Sequence, residues 1–221
     1  MAAGPARSFR RRCSRTAVPP VRVNILEAAL RRIAADLQRH DRQWALIGGF
    51  AVSARAEPRF TRDIDVAVMV GDDADGEGLV RLLIADRYRL LASVEQDETG
   101  RLATVRLGCP LGDGDVVVDL LFASSGIEPE ITRAAELTEI VPGLSLPIAT
   151  TGHLIALKLL ARDDQSRPQD RADLQALRAV AGTADLDQAS DAVRLISARG
   201  FGRGRDLTAA LQQFENSVDP G

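Results

Sequence analysis

Between Trp44 and Val70 the chain reads WALIGGFAVSARAEPRFTRDIDVAVMV, and its character changes three times. A short apolar run, Ala45-Leu46-Ile47, stops at Gly48-Gly49. A segment of small residues follows and leads into Arg59-Phe60-Thr61-Arg62. The stretch closes on Asp63-Ile64-Asp65 and a second apolar run from Val66 to Val70. This order predicts strand, glycine turn, short helix, loop, strand. Side chains at i and i+2 of a strand share a face. Asp63 and Asp65 therefore point one way, while Ile64 joins Val66 and Val68 in a core. Two neighbouring carboxylates repel each other unless a cation sits between them.

The remaining elements follow in chain order. Apolar residues at helical spacing predict a helix from Asn24 to His40, with Asn24 as N-cap. Gly71 to Gly78 reads as a polar loop before a helix from Leu79 to Asp86. Strands are expected at Tyr88–Val94 and Leu102–Leu107. A turn is expected at Gly108–Gly114, and a near-continuous apolar strand at Asp115–Phe122. A short helix at Ile127–Ala135 precedes a hairpin of Glu139–Val141 and Ser145–Ile148 around Pro142-Gly143. Thr151 can then cap a helix running through Leu154, Ile155, Leu157, Lys158, Leu159 and Leu160. Three more helical patterns lie near 169–181, 185–199 and 203–215. The expected architecture is α+β: a mixed β-sheet flanked by helices, followed by a C-terminal helical bundle. The expected division is a basic tail over 1–22, an α/β domain over 23–149 and a helical domain over 150–221.

Charge and composition narrow the function. The first 22 residues hold six arginines and no acid, so that the rest carries 22 basic against 31 acidic residues. An Arg-rich segment without apolar periodicity is expected to be disordered. The acidic body argues against a broad nucleic-acid surface. No apolar run approaches the length of about 18 residues that a membrane span requires. Cys13 and Cys109 form no disulfide framework, and His40 and His153 are the only histidines. A metal would therefore be held by oxygen, which suits Mg²⁺ or Mn²⁺. Thiol usage fits a reducing, cytoplasmic setting. Lys158 is the single lysine in the chain.

Asp119 gives the Asp-x-Asp pair its meaning. It sits mid-strand with Val117 and Leu121 on its own face and Val118 and Leu120 opposite. A buried carboxylate needs a partner or a metal. Should its strand lie beside that of Asp63 and Asp65, the three make a triad suited to two-metal phosphoryl or nucleotidyl transfer. Asp119 is then the base for an attacking hydroxyl. The alternative is a structural Asp bonded to an arginine or to backbone N–H groups. Gly48-Gly49, at a strand end and a helix start, lets backbone N–H groups approach an anion. The dinucleotide fingerprint and the P-loop are both absent. Lys158 also suits a snorkelling surface role, and Asp170 and Asp173 suit local pairing with Arg167 or Arg171.

Leu46-Ile47-Gly48-Gly49, then Asp63-Ile64-Asp65 after thirteen intervening residues, then Asp119 in a later apolar strand, resembles the nucleotidyltransferase superfamily of DNA polymerase β type. Arg59-Phe60-Thr61-Arg62-Asp63-Ile64-Asp65, Leu154 to Ala161 and Asp170-Arg171-Ala172-Asp173-Leu174 narrow the resemblance to the AbiEii/AbiGii-type nucleotidyltransferases. Bacterial members of that type are often the toxin half of type IV toxin–antitoxin systems. The resemblance implies an enzyme that takes a nucleoside triphosphate and Mg²⁺ or Mn²⁺, with RNA or protein as acceptor and a cognate antitoxin as partner. It implies that Gly48 and Gly49 cradle the triphosphate, with Arg59, Thr61, Lys158, Asp170 and Asp173 in the nucleotide site. Asp63, Asp65 and Asp119 would be the catalytic and metal-holding residues. Two departures stand out: Phe50 follows Gly-Gly where many relatives carry Gly-Ser, and Gln169 replaces the lysine of Lys-Asp-x-x-Asp. A non-catalytic nucleotide sensor on the same fold, and a metal-dependent nuclease using the same acids, are the competing readings.

Overall fold

The structure, a computed structural model, describes residues 25–97, 99–111, 114–162 and 168–217. The tail expected over 1–22 and the cap expected at Asn24 lie outside them. Seven strands form one mixed sheet in the order β3-β4-β5-β2-β1-β7-β6. They are β1 (Trp44–Ile47), β2 (Ile64–Val68), β3 (Arg89–Glu95), β4 (Leu102–Leu111), β5 (Gly114–Leu121), β6 (Glu136–Val141) and β7 (Leu144–Ile148). The central strands pair β2 with β5 and β1 with β7 in parallel, while β1 and β2 are antiparallel. Four helices belong to the α/β portion: α1 (Ile25–Arg39), α2 (Gly48–Arg55), α3 (Asp73–Ala85) and α4 (Glu128–Ala134). Four more follow: α5 (Thr151–Ala161), α6 (Pro168–Val180), α7 (Thr183–Ala198) and α8 (Leu207–Asn216).

Alternation along the strands decides which face is core. On β5, Val116, Val118 and Leu120 are buried, as are Ala103, Val105, Leu107 and Cys109 on β4. Helix α1 packs on β4 and β5, α3 on β4, and α4 on β1 and β2. Ala29, Leu30, Ile33 and Leu37 recur at three- and four-residue steps and give α1 its buried stripe. The opposite face carries Thr104, Arg106, Val117, Asp119 and Leu121, none of them wholly enclosed. Helix α5 lies against α2, α6, α7 and α8. Gly152 lets α5 approach α7 closely, because a Cβ there would lie 2.5 Å from the Asp185 carbonyl oxygen.

The largest boundary differences from the sequence expectation are at α3, β4 and β6, the last starting at Glu136 rather than Glu139. Helix α3 starts at Asp73, inside the stretch expected to be a loop. Asp72 caps it by accepting a hydrogen bond from the Asp75 amide, and Asp73 and Asp75 sit favourably in the first turn. At Gly76 a Cβ would meet Phe122 and Leu102 at 3.5 and 3.6 Å, an ordinary contact, so packing does not require glycine there. Strand β4 runs on through Leu111 rather than turning at Gly108. Leu111 pairs with Gly114, so only residues 112 and 113 separate the two strands. Strand β3 pairs only as far as Gly108, so Pro110 lies where β4 has β5 as its sheet neighbour. Thr150, not Thr151, occupies the N-cap position of α5, without a side-chain cap bond.

Candidate active site

Strand register brings the acids together. Asp65 on β2 pairs with Asp119 on the parallel strand β5. Asp119 pairs on its other side with Arg106 of β4, and Asp65 on its other side with Ile47 of β1. Laterally paired residues share a face, with neighbouring strands about 4.8 Å apart. Arg106, Asp119, Asp65 and Ile47 therefore form one row across four strands. Asp63 lies two residues before Asp65, just ahead of β2, and belongs to the same face by alternation.

Gly48 fits this row for steric reasons. Its φ is +63°, and a Cβ there would come within 1.9 Å of the Asp65 Oδ2. The left-handed turn is open to glycine at little cost and brings the start of α2 against the Asp65 carboxylate. At Gly49 a Cβ would lie 2.7 Å from an Arg59 terminal nitrogen and 2.8 Å from the Thr61 hydroxyl. Both side chains thus lie over the glycine turn. Thr61 also donates to the Asp63 carbonyl at 3.4 Å.

The cations arrive already partnered. Arg106 grips Asp119 in a fork: Nε donates to Oδ1 at 2.8 Å and Nη2 to Oδ2 at 2.7 Å. Asp119, with Asp63 and Asp65 behind it, holds the Arg106 guanidinium well above its ordinary pKa. Arg59 makes a second fork, to Asp173, at 2.5 and 2.8 Å. Lys158 reaches both Asp170 at 2.8 Å and Asp173 at 2.7 Å. Asp170, Asp173 and Lys158 are all buried. Burial pushes the Asp173 carboxyl up, but hydrogen bonds from Arg59 and Lys158 outweigh it and hold the group below the usual carboxylate range. Lys158 is therefore not a snorkelling surface lysine.

A cavity of about 310 Å³ opens on the row, lined among others by Gly48, Asp65, Arg106, Asp119, Lys158 and Arg203. Of the residues expected from sequence, it collects Gly48, Asp65, Asp119 and Lys158. Asp63, Gly49, Arg59, Thr61, Asp170 and Asp173 do not line it; Gly49, Arg59 and Thr61 sit together over the start of α2, and Asp170 and Asp173 sit behind Lys158. Sequence reasoning missed Arg106, Ser124 and Arg203. Arg203, between α7 and α8, has a left-handed φ of 55° and donates to the Ser124 carbonyl and hydroxyl oxygens. The flanking glycines of Gly202-Arg203-Gly204 are the available sequence signal. Buried Glu128 shapes the same loop by accepting from the Ser124 and Ser125 amides and the Ser125 hydroxyl. Burial nonetheless raises its pKa.

The acids suit a hard divalent cation in donor type, since all three are carboxylates. Their arrangement is less complete than the sequence reading expected. Among the described residues, no three His, Cys, Asp or Glu side chains are grouped to hold a metal ion. Both Asp119 oxygens are turned to Arg106. Asp63 and Asp65 supply oxygen donors of the right type, whereas Asp119 offers both its oxygens to Arg106.

A family model described as "Nucleotidyl transferase AbiEii toxin, Type IV TA system" matches residues 28–219. The chain belongs to the AbiEii nucleotidyltransferase family. It is thus an enzyme that transfers nucleotidyl groups. No curated protein matches the chain. Among solved structures, an antigenic nucleotidyltransferase-like protein from Paracoccidioides brasiliensis is similar at 17% identity and a TM-score of 0.50. That match covers 85% of this chain and 92% of the other, and it bears on the fold. The lincosamide antibiotic adenylyltransferase LnuA is similar at 15% identity and a TM-score of 0.48, covering 72% of this chain and 100% of its own. Among the described residues no helix is long and apolar enough to cross a membrane.

Proposed function

We propose that this AbiEii-family enzyme moves a nucleotidyl group from a nucleoside triphosphate to an acceptor hydroxyl, forming the bond from the acceptor oxygen to the α-phosphorus, breaking the α–β phosphoanhydride and releasing pyrophosphate, in a reaction that depends on Mg²⁺ or Mn²⁺. The biological role we assign is that of a type IV toxin acting in the cytoplasm on RNA or protein and countered by a cognate antitoxin. The observation that carries the chemistry is the lateral pairing of Asp65 with Asp119 beside the Gly48 turn, at the mouth of a cavity that also holds Lys158. Residues 23–149 serve as the catalytic domain and 150–221 as the helical domain that supplies Lys158.

The first N–H groups of α2 lack partners within the helix and point at an incoming anion, so Gly48-Gly49 receives the triphosphate. Arg59, over that turn, and Lys158, at the cavity wall, balance its charge. Asp119, once released, accepts the proton of the attacking hydroxyl. A divalent ion held by Asp63 and Asp65 would neutralise charge on the transferring phosphoryl group. Asp170 and Asp173 hold Lys158 and Arg59 in place.

The test incubates the full chain with α-phosphate-labelled nucleoside triphosphates, Mg²⁺ or Mn²⁺, and total RNA or total protein in separate reactions. Wild type labels one acceptor class, and Asp63→Ala/Asp65→Ala loses about 100-fold or more of that labelling. Equal labelling by the double variant overturns the proposal. So does the absence of labelling of either class together with absence of nucleotide binding.

A further inference from the structure

We propose that Arg106 is a built-in cation of the acidic site, which holds Asp119 in the metal-free protein and yields it when a phosphate-bearing ligand draws the guanidinium away. The inference rests on the reading of Asp63, Asp65 and Asp119 as an acidic centre for a divalent ion, and it names what controls that centre.

Four observations carry it. Arg106 stands directly opposite Asp119 in the β4–β5 register, so the contact is set by the sheet and not by a stray rotamer. The fork uses both carboxylate oxygens, at 2.8 and 2.7 Å, and so takes the side of Asp119 that a cation bound by both oxygens would occupy. Arg106 also sits in the field of Asp63 and Asp65, the position of a counter-ion to the whole triad. Finally, Asp119 pairs with Asp65 in the β2–β5 register, so the Arg106 fork lies in the same lateral row as the second acid.

A purely structural salt bridge would look different. Asp119 is buried, but the Arg106 side chain is 49% exposed and lines the cavity together with Gly48 and Lys158. A half-exposed guanidinium can swing to a phosphate, and the buried Asp119 charge it leaves would then be met by the divalent ion. Two cations contending for one carboxylate bind it less tightly than either would alone. A triphosphate that re-pairs with Arg106 removes that competition, so metal and nucleotide should favour each other's binding.

The experiment measures Mn²⁺ binding to the full chain, with Mn²⁺ alone as the probe, from the electron paramagnetic resonance signal of the free ion. The proteins are wild type, Arg106→Gln, Arg106→Lys, Asp119→Asn and the Arg106→Gln/Asp119→Asn double variant. Removing the competing charge should tighten Mn²⁺ binding by Arg106→Gln about tenfold. Arg106→Lys keeps the charge and should stay near wild type. With Asp119→Asn already present, Arg106→Gln should add little, because the contested carboxylate is gone. Unchanged or weaker Mn²⁺ binding in Arg106→Gln, with wild type binding normally, overturns the role of Arg106 and leaves the acidic centre standing. Absence of Mn²⁺ binding from wild type and from Arg106→Gln overturns both. Should Arg106→Gln fail to fold, tightening by an Arg106→Met variant supports the proposal, and unchanged binding by it opposes the proposal.

Discussion

Asp173→Asn is the sharpest single test of how the site is held. Asp173 is 1% exposed and carries the Arg59 fork and one bond from Lys158. The four groups Arg59, Lys158, Asp170 and Asp173 hold two charges of each sign. The amide keeps the shape but leaves the cluster one positive charge in excess. Breaking a buried pair by removing one partner costs about 3–5 kcal/mol. Two features place this site at the lower end: Lys158 keeps Asp170 at 2.8 Å, and the Arg59 side chain is 22% exposed and reaches water. The expected loss is about 3 kcal/mol, which at a urea slope of about 2 kcal/mol per M lowers the unfolding midpoint by about 1.5 M.

The same carboxylate predicts a pH signature. Its native pKa lies below the unfolded value of about 3.9, so that the native group binds a proton less readily. The stabilisation is full above the unfolded value and is lost as pH falls through the lower native one. The gap between wild type and Asp173→Asn should stay constant from about pH 7 to pH 5 and close below about pH 4. Urea titrations of both proteins across that range provide the check. A loss under about 0.5 kcal/mol, or a gap that closes on raising the pH, would refute the reasoning.

Three further predictions concern single residues. Gly48→Ala places a Cβ on the Asp65 carboxylate in a left-handed turn, so it should cost about 1–2 kcal/mol in urea unfolding and reduce turnover more than nucleotide affinity. Burial lowers the His153 pKa against a smaller opposing effect of Glu130, so the native ring stays neutral and stability should fall as pH drops below about 6.5; His153→Gln should flatten that limb of a thermal-shift profile. Burial raises the Cys109 thiol, so in a Cys13→Ser background the remaining thiol should resist a disulfide reagent at pH 8 until denaturant is added.

Strand alternation made most of the acidic row legible. Asp63 and Asp65 share a period-two pattern, so their common face followed from the residues, whereas the pairing of Asp119 with Asp65 is set by the β2–β5 register, which the residues left open. Arg106 did not follow, although Thr104 and Arg106 alternate on the same polar face. Its meeting with Asp119 depends on hairpin register. A turn spanning Gly108–Gly114 places Ala103 opposite Asp119, whereas the two-residue connection after Leu111 brings Arg106 there. Register is a property of turn length, and a one-residue slip would move every side chain to the other face. The start of α3 was hidden by its glycines, which lower helix propensity, whereas the Asp72 cap fixes it. The roles of Asp170 and Asp173 were only half legible. Their i, i+3 spacing placed them on one helix face, while the partners that decide their function come from 114 and 15 residues away, at Arg59 and Lys158.

The site that results is unlike an open basic pocket. Arg106, Arg59 and Lys158 each face a carboxylate at hydrogen-bond distance, so the cations a triphosphate would seek are neutralised in advance. Burial explains why Lys158 must be: an unpartnered ammonium at that depth would be costly or uncharged. The consequence is that a nucleotide has to exchange partners rather than fall into a ready field. Arg106 and Arg59, the more exposed of the three, can make that exchange, and Lys158 is held by two acids that cannot leave. Arg59 joins the glycine turn to α6, and Lys158 joins α6 to α5, so a nucleotide that loosens the Arg59 fork acts directly on the contact between α2 and the C-terminal helices. On the proposed reading, the glycine turn and Asp-x-Asp strand specify where chemistry occurs, whereas the paired cations decide when the site accepts its charge.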